Sequence, residues 1–149
     1  MSSTKPKVIG RSELVDLPEW DFQELEAKVD TGAYTSSLHC HHIEPFEKEG
    51  QKWVRFYLLD PDHEAYNDQM LEMPLSDQRK VKSSNGVSQL RYFVKTSIRM
   101  FERNYSIELS LADRSAMKYP LLLGRKFLTK RHFLVDVTQT NLSLSKKTR

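Results

Sequence analysis

The strand period runs through almost every apolar stretch of this chain. In "KWVRFYLL" (52–59) aromatic and aliphatic residues are spaced for one face of a strand, and the run stops at Asp60-Pro61, a turn pair. Upstream, "KVIGRSELVDL" (7–17) is β-branched and apolar as far as Pro18, and "DFQELEAKVD" (21–30) carries Phe22, Leu25, Ala27 and Val29. Downstream, Asn85-Gly86 lies between apolar runs, the strongest short hairpin signal a sequence offers. It leads into two long strands, "QLRYFVKTSIRM" (89–100) and "NYSIELSLAD" (104–113), joined through Phe101–Arg103. The polar, acidic "DPDHEAYNDQMLE" (60–72) reads as a loop or short helix. "YPLLLG" is a short apolar run, "RKFLTKRH" (125–132) reads as one or two helical turns, and "FLVDVTQTNLSLS" (133–145) as a return to strand. Together these predict an all-β chain with one short helix, folded as a closed barrel or sandwich.

Length and composition fit that reading. The 149 residues match one domain, and 38% hydrophobic residues are enough for a single core. We expect one domain over 1–149, with its core at about 8–137 and a flexible tail at about 145–149. A formal charge of +3 falls short of a nucleic-acid footprint, and the basic clusters at Lys80–Lys82, Lys126–Arg131 and Lys146–Arg149 read as solvated faces and a tail. No nucleic-acid partner is expected. A single cysteine excludes an internal disulfide and fits a reducing compartment. The start lacks an apolar signal core, and no apolar run approaches the roughly 20 residues that span a bilayer. The expectation is a cytoplasmic chain with no membrane partner.

The residues with most chemistry lie in "EAKVDTGAYTSSLHCHHIE" (26–44). Asp30 sits in a Thr-Gly turn directly after an apolar strand. Alone, Asp-Thr-Gly is weak, because aspartate caps many turns. A second element changes the odds. Some ninety residues later comes Leu122-Leu123-Gly124-Arg125, followed by the short helical segment. In this pairing and order the chain resembles the retropepsin-like aspartic proteases, over roughly Val8 to Val137. "AKVDTGAYTSSLH" with "DRSAMKYPLLLGR" is similar, more narrowly, to a bacterial branch labelled ATP-dependent zinc protease.

The resemblance implies an acid-protease barrel. Asp30 would be the catalytic carboxylate in a loop shaped by Thr31, Gly32 and Ala33, with Gly124 and Arg125 supporting it from beneath. It also implies a flap around residues 78–88, with Ser83, Ser84, Asn85 and Gly86 at its turn, closing over a peptide or protein substrate. The connection from Asp30 to Gly124 is longer than in compact viral relatives, and residues 58–80 carry the extra length.

Such chemistry needs two carboxylates within a few ångströms, sharing one proton. The ionised member activates water; the protonated one polarises the scissile carbonyl and protonates the leaving amine. Only one Asp-Thr-Gly is present. Asp113 and Asp136 lack the glycine turn. A two-fold homodimer would supply the second Asp30.

"LHCHH" suggests metal binding, but a strand puts His39 and His41 on one face and Cys40 and His42 on the other. That is too few ligands for a zinc site, so no cofactor is expected, with His39 and His41 as weak zinc candidates. His39 also fits a supporting role near the site, and Cys40 a buried small hydrophobe. Arg91 and Arg125 could hold a substrate carboxylate through the guanidinium fork, as could Arg114; Arg125 also fits a structural tie from the helix. No phosphate loop, dinucleotide motif or serine elbow occurs. Two rival readings stand beside the protease: a non-catalytic peptide-binding module on the same fold, and a metal-dependent hydrolase using His39 and its neighbours.

Overall fold

The computed structural model describes residues 5–59, 61, 63, 66, 68–82, 86–113 and 119–144. Ser83, Ser84, Asn85, Arg114 and the tail at 145–149, all singled out from the sequence, lie outside the described residues. The fold is mostly β with one short α-helix, as the alternation predicts. The strands are β1 (Val8–Ile9), β2 (Ser12–Leu17), β3 (Phe22–Val29), β4 (Ser36–Lys48), β5 (Gln51–Leu58), β6 (Met70–Pro74), β7 (Asp77–Lys82), β8 (Ser88–Met100), β9 (Arg103–Ala112), β10 (Leu121–Leu123) and β11 (Leu134–Val135). The helix, α1, spans Arg125–Lys130.

The chain divides into two compact units. The first comprises the chain up to Ser36, Thr96–Ile107 and the chain from Tyr119; the second comprises Ser37–Lys95 and the chain from Glu108. In the first unit the strands run β10–β3–β2–β8. β2 and β3 are antiparallel, from Ser12↔Lys28 to Leu17↔Phe22, around a 3₁₀ turn at Pro18–Trp20. Proline opens that turn with its fixed φ, and Asp21 closes it in the left-handed region at φ 56°. Inward residues Val15, Leu17, Phe22, Leu25 and Ala27 meet Leu121, Leu123, Phe127 and Leu128 in one buried core. β1 and β11 form a separate parallel pair, with Val8 opposite Leu134.

Glu13 breaks the pattern of β2. It shares the inward face with Val15 and Leu17 and is fully buried. Its carboxylate is satisfied by four donors. Oε2 accepts from the Gly10 N–H at 2.7 Å and the Leu142 N–H at 3.0 Å. Oε1 accepts from the Ser143 N–H at 2.8 Å and the Ser143 hydroxyl at 2.6 Å. An anion buried among backbone N–H groups is tolerated only when its lone pairs are filled in this way.

The strand expected over 133–145 ends at Val135. Asp136 ends it by offering the backbone a local alternative. Its Oδ1 accepts from the Thr138 N–H at 3.0 Å and the Thr138 hydroxyl at 2.6 Å, and its Oδ2 from the Gln139 amide at 2.6 Å. These bonds, led by the Thr138 hydroxyl, hold the pKa of Asp136 below the usual aspartate value.

The second unit orders its strands β8–β9–β4–β5–β6, with β7 on β8. The β7–β8 pairing runs from Asp77↔Phe93 to Lys82↔Ser88, so the hairpin expected around Asn85-Gly86 is present. Gly86 takes φ 87°, the region open to glycine. β6 begins inside the segment 60–72 read as a loop or short helix and runs two residues past it; it pairs with β5 from Trp53↔Pro74 to Tyr57↔Met70. Leu38, Cys40, Val54, Phe56, Leu58, Phe93, Val94 and Leu109 form this unit's core.

Candidate active site

The site grows from the register of β10 on β3. These strands are parallel, with Leu121 beside Ala27 and Leu123 beside Val29. The next residues on each strand are therefore Gly124-Arg125 and Asp30-Thr31, side by side. The Asp30 N–H donates to the Leu123 carbonyl at 2.9 Å, continuing the ladder by one step. On the other side of β3, the Val29 N–H donates to the Arg11 carbonyl at 3.0 Å.

Beyond that anchor the chain turns. The Ala33 N–H donates to the Asp30 carbonyl at 3.3 Å, and the Gly32 N–H donates to Asp30 Oδ1 at 2.9 Å. The second bond is the aspartate turn in which the side chain stands in for a backbone acceptor. Asp30 is half-buried, while Thr31 and Gly32 are exposed.

Residues 33–35 then fold back over the end of β10. The Arg125 N–H donates to the Ala33 carbonyl at 2.7 Å and the Lys126 N–H to the Tyr34 carbonyl at 2.9 Å. The Gly124 N–H donates to the buried Ser36 hydroxyl at 2.9 Å. Arg125 closes the loop from the side, donating from Nη1 to the Thr31 carbonyl at 3.0 Å, with its guanidinium 5.7 Å from the Tyr34 ring centre. The segments at 30–36 and 122–126, ninety residues apart, thus make one interlocked knot. Ser36 was missed in the sequence because one serine of the pair in "YTSS" carries no signal that sets it apart.

Gly124 is the residue this knot cannot exchange. A Cβ there would lie 2.5 Å from the Thr35 carbonyl oxygen and 2.8 Å from that of Tyr34, both backbone atoms. A Cβ on Gly32 would meet only Asp30 Oδ1, at 3.2 Å. Gly124→Ala is expected to destabilise the chain by about 2–4 kcal/mol, and Gly32→Ala by clearly less. Urea denaturation midpoints of the two variants check this. Equal costs would mean that the knot yields where the structure makes it tight.

His39 and Arg91 belong to the second unit, and the Asp30 turn to the first. His39 is buried on β4, and its carbonyl accepts the Leu59 N–H at 3.0 Å. Arg91 donates from Nη1 to the Ser110 hydroxyl at 3.3 Å and from Nη2 to the Gln89 side-chain oxygen at 3.2 Å. Cys40 is fully buried, and burial, aided by the charge of Asp113, pushes the pKa of its thiol up; thiolate chemistry is removed from this position.

The strict alternation expected for "LHCHH" fails at His42. It takes φ 53°, and the register of β4 on β5 shifts between His41 and Glu44. This bulge brings the adjacent His41 and His42 rings to 4.9 Å, beside Tyr57. His41 Nδ1 lies 2.6 Å from the Leu59 carbonyl, which only accepts, so Nδ1 carries the proton. Among the described residues, no three His, Cys, Asp or Glu side chains come together as a metal site.

Comparison with known proteins decides the family. The model of the RimB-like family, described as "Retropepsin-like aspartic endopeptidase RimB", matches residues 8–146. The chain belongs to this family. Curated relatives extend the picture. A "Probable alpha-L-glutamate ligase" of Parasynechococcus marenigrum is 35% identical over 137 residues, covering 89% of this chain and 28% of the ligase. One from Shewanella pealeana is 36% identical over 137 residues, covering 89% and 29%. The chain therefore spans less than a third of the length of these relatives. A crystal structure of a Legionella pneumophila protein of unknown function is similar at a TM-score of 0.76 and 29% identity, covering 93% of this chain and 99% of that one. No helix among the described residues is long and apolar enough to cross a membrane.

Proposed function

We propose that the chain is an aspartic endopeptidase whose dyad forms when the Asp30 turns of two copies meet on a two-fold axis. The observation that carries this reading is the knot at Asp30. Its carboxylate is half-buried and held by the Gly32 N–H, while β10, Ser36 and Arg125 fix the loop from behind. A turn needed only to reverse the chain requires no such second segment. Thr31, exposed at the tip, would bond across the axis, and the near-absence of contacts around Gly32 leaves room for a partner loop. One Asp30 would act as general base on water, and the other would hold the proton that polarises the scissile carbonyl.

The substrate class follows from the relatives. They carry this domain within proteins named for α-L-glutamate ligation. A hydrolase that shares a chain with a ligase fits removal of the bonds that ligase makes. The proposed substrate is a peptide of α-linked glutamates.

The test is cleavage of a synthetic α-linked hexaglutamate, read by mass spectrometry across a dilution series, with sedimentation velocity on the same samples. Shortened peptides are expected, with activity per chain falling as dimers dissociate. Full activity in monomers would overturn the shared dyad. Cleavage of other peptides but not of hexaglutamate would overturn the substrate class alone.

A further inference from the structure

We propose that Arg125 binds an acidic side chain of the substrate beside the Asp30 turn and makes the site selective for anionic peptides. The inference rests on the glutamyl-peptide reading above and adds the residue that recognises the charge.

Three segments are bonded together at the Asp30 turn, and all lie in the first unit: 10–12, 27–36 and 121–126. Their cations are Arg11, Lys28, Arg125 and Lys126, and Asp30 is their only carboxylate. Cleavage of a neutral peptide calls for no such surround. A substrate that brings its own carboxylates does, because each of them is repelled by the charge on an ionised Asp30 unless positive charge stands close by.

Arg125 is the cation whose side chain is tied to the loop itself. Its Nη1 donates to the Thr31 carbonyl at 3.0 Å, one residue past Asp30, and its guanidinium lies 5.7 Å from the ring centre of the exposed Tyr34. Both contacts are to uncharged groups. Among the described residues no carboxylate lies within ion-pair distance of Arg125. Arg55 and Arg79 are held differently. Arg55 has Glu44 and Glu72 at 3.7 and 3.6 Å, and Arg79 has Asp77 and Glu108 at 2.7 and 3.0 Å. Those two spend their charge inside the molecule; Arg125 does not.

The geometry of the fork suits the role. A guanidinium carries five N–H donors in one plane, and the Thr31 bond uses a donor of Nη1. The Nε–Nη2 edge, which a carboxylate meets side-on through two parallel bonds, is left for a ligand, and the residue is exposed. The bond to Thr31 fixes the plane in advance, so less freedom is lost when a carboxylate arrives. Lys126 next to it supplies charge without that fork. Arg125 thus does two things with one group: it braces the loop through Nη1 and presents its other edge to the peptide.

The experiment uses the full chain with Asp30→Asn, so that no peptide is consumed. Calorimetry compares α-linked hexaglutamate with α-linked hexaglutamine in that background, alone and with Arg125→Gln or Arg125→Lys. Arg99→Gln is the control for net charge; Arg99 is an exposed residue of β8 in the same unit, with its Nη1 on Asn104 Oδ1 at 3.0 Å. The expected result is that hexaglutamate binds more tightly than hexaglutamine, and that Arg125→Gln weakens hexaglutamate by about 10- to 100-fold. Arg125→Lys, which keeps the charge without the fork, weakens it by about 3- to 10-fold. Hexaglutamine binding is insensitive to both, and Arg99→Gln changes neither peptide. Undiminished hexaglutamate binding in Arg125→Gln, equal loss for both peptides, or an equal loss in Arg99→Gln overturns the role of Arg125 and leaves the substrate class standing. If Arg125→Gln does not fold, Arg125→Lys decides: hexaglutamate affinity equal to that of the Asp30→Asn parent overturns the role. Equal binding of the two peptides by that parent overturns the substrate class and this inference with it.

Discussion

The Asp30→Asn variant is expected to lose peptide cleavage by about 10³- to 10⁴-fold while folding as the parent does. Both halves of the result come from one side chain. The amide cannot take a proton from water, and two amides on the axis cannot share one, so acid and base are lost together. Yet asparagine keeps an oxygen where Asp30 Oδ1 accepts the Gly32 N–H, and it forms the same turn. The ladder bond from the Asp30 N–H to Leu123 uses backbone only and is untouched. The measurement is initial cleavage rate on hexaglutamate beside the thermal midpoint and sedimentation coefficient. Activity retained within tenfold would remove Asp30 from the chemistry. Activity lost together with the fold would mean that the carboxylate charge is part of the knot.

The second large effect is on stability and lies at Glu13. Glu13→Ala is expected to cost about 4 kcal/mol or more, because it leaves two buried backbone N–H groups, a part-buried one and a buried hydroxyl without their acceptor. Glu13→Gln tests the reason. Each carboxylate oxygen serves two donors, so an amide can satisfy one pair only and turns its own N–H groups on the other. Glutamine is therefore expected to recover little, and to lower the thermal midpoint by several degrees for each kcal/mol lost. If Glu13→Gln matched the parent in urea denaturation, the charge would be incidental and shape alone would matter.

These two residues mark the limits of what was legible in the sequence. Asp30 was readable because its motif is local, and its partner Leu122-Leu123-Gly124-Arg125 is equally compact. Finding both in order pointed to the family and to the mostly-β fold with one helix. The sequence could not show how the two segments interlock, since that depends on the parallel register of β10 on β3. Glu13 did leave a trace that went unread. In "SELVDL" it falls on the same face as Val15 and Leu17, an acid where the strand period calls for an apolar residue. β6 was passed over because Met70–Pro74 has burial on neither face strong enough to mark a period. The bulge at His42 had no signal at all; a left-handed histidine is a choice made by its neighbours in space.

The pairing of β1 with β11 has a consequence for how the chain comes to be folded. Val8 meets Leu134, and Glu13 meets Ser143, contacts separated by 126 and 130 residues. Closing loops of that length precedes any return from the contacts, which places this chain among slow, topology-limited folders. During synthesis β2 and β3 can pair at once, but β3 waits for β10 and Glu13 waits for the last turn. Until some 130 further residues have followed it, Glu13 has no buried place to go. The acid that locks the finished molecule thus finds most of its donors only when the chain has reached Leu142 and Ser143.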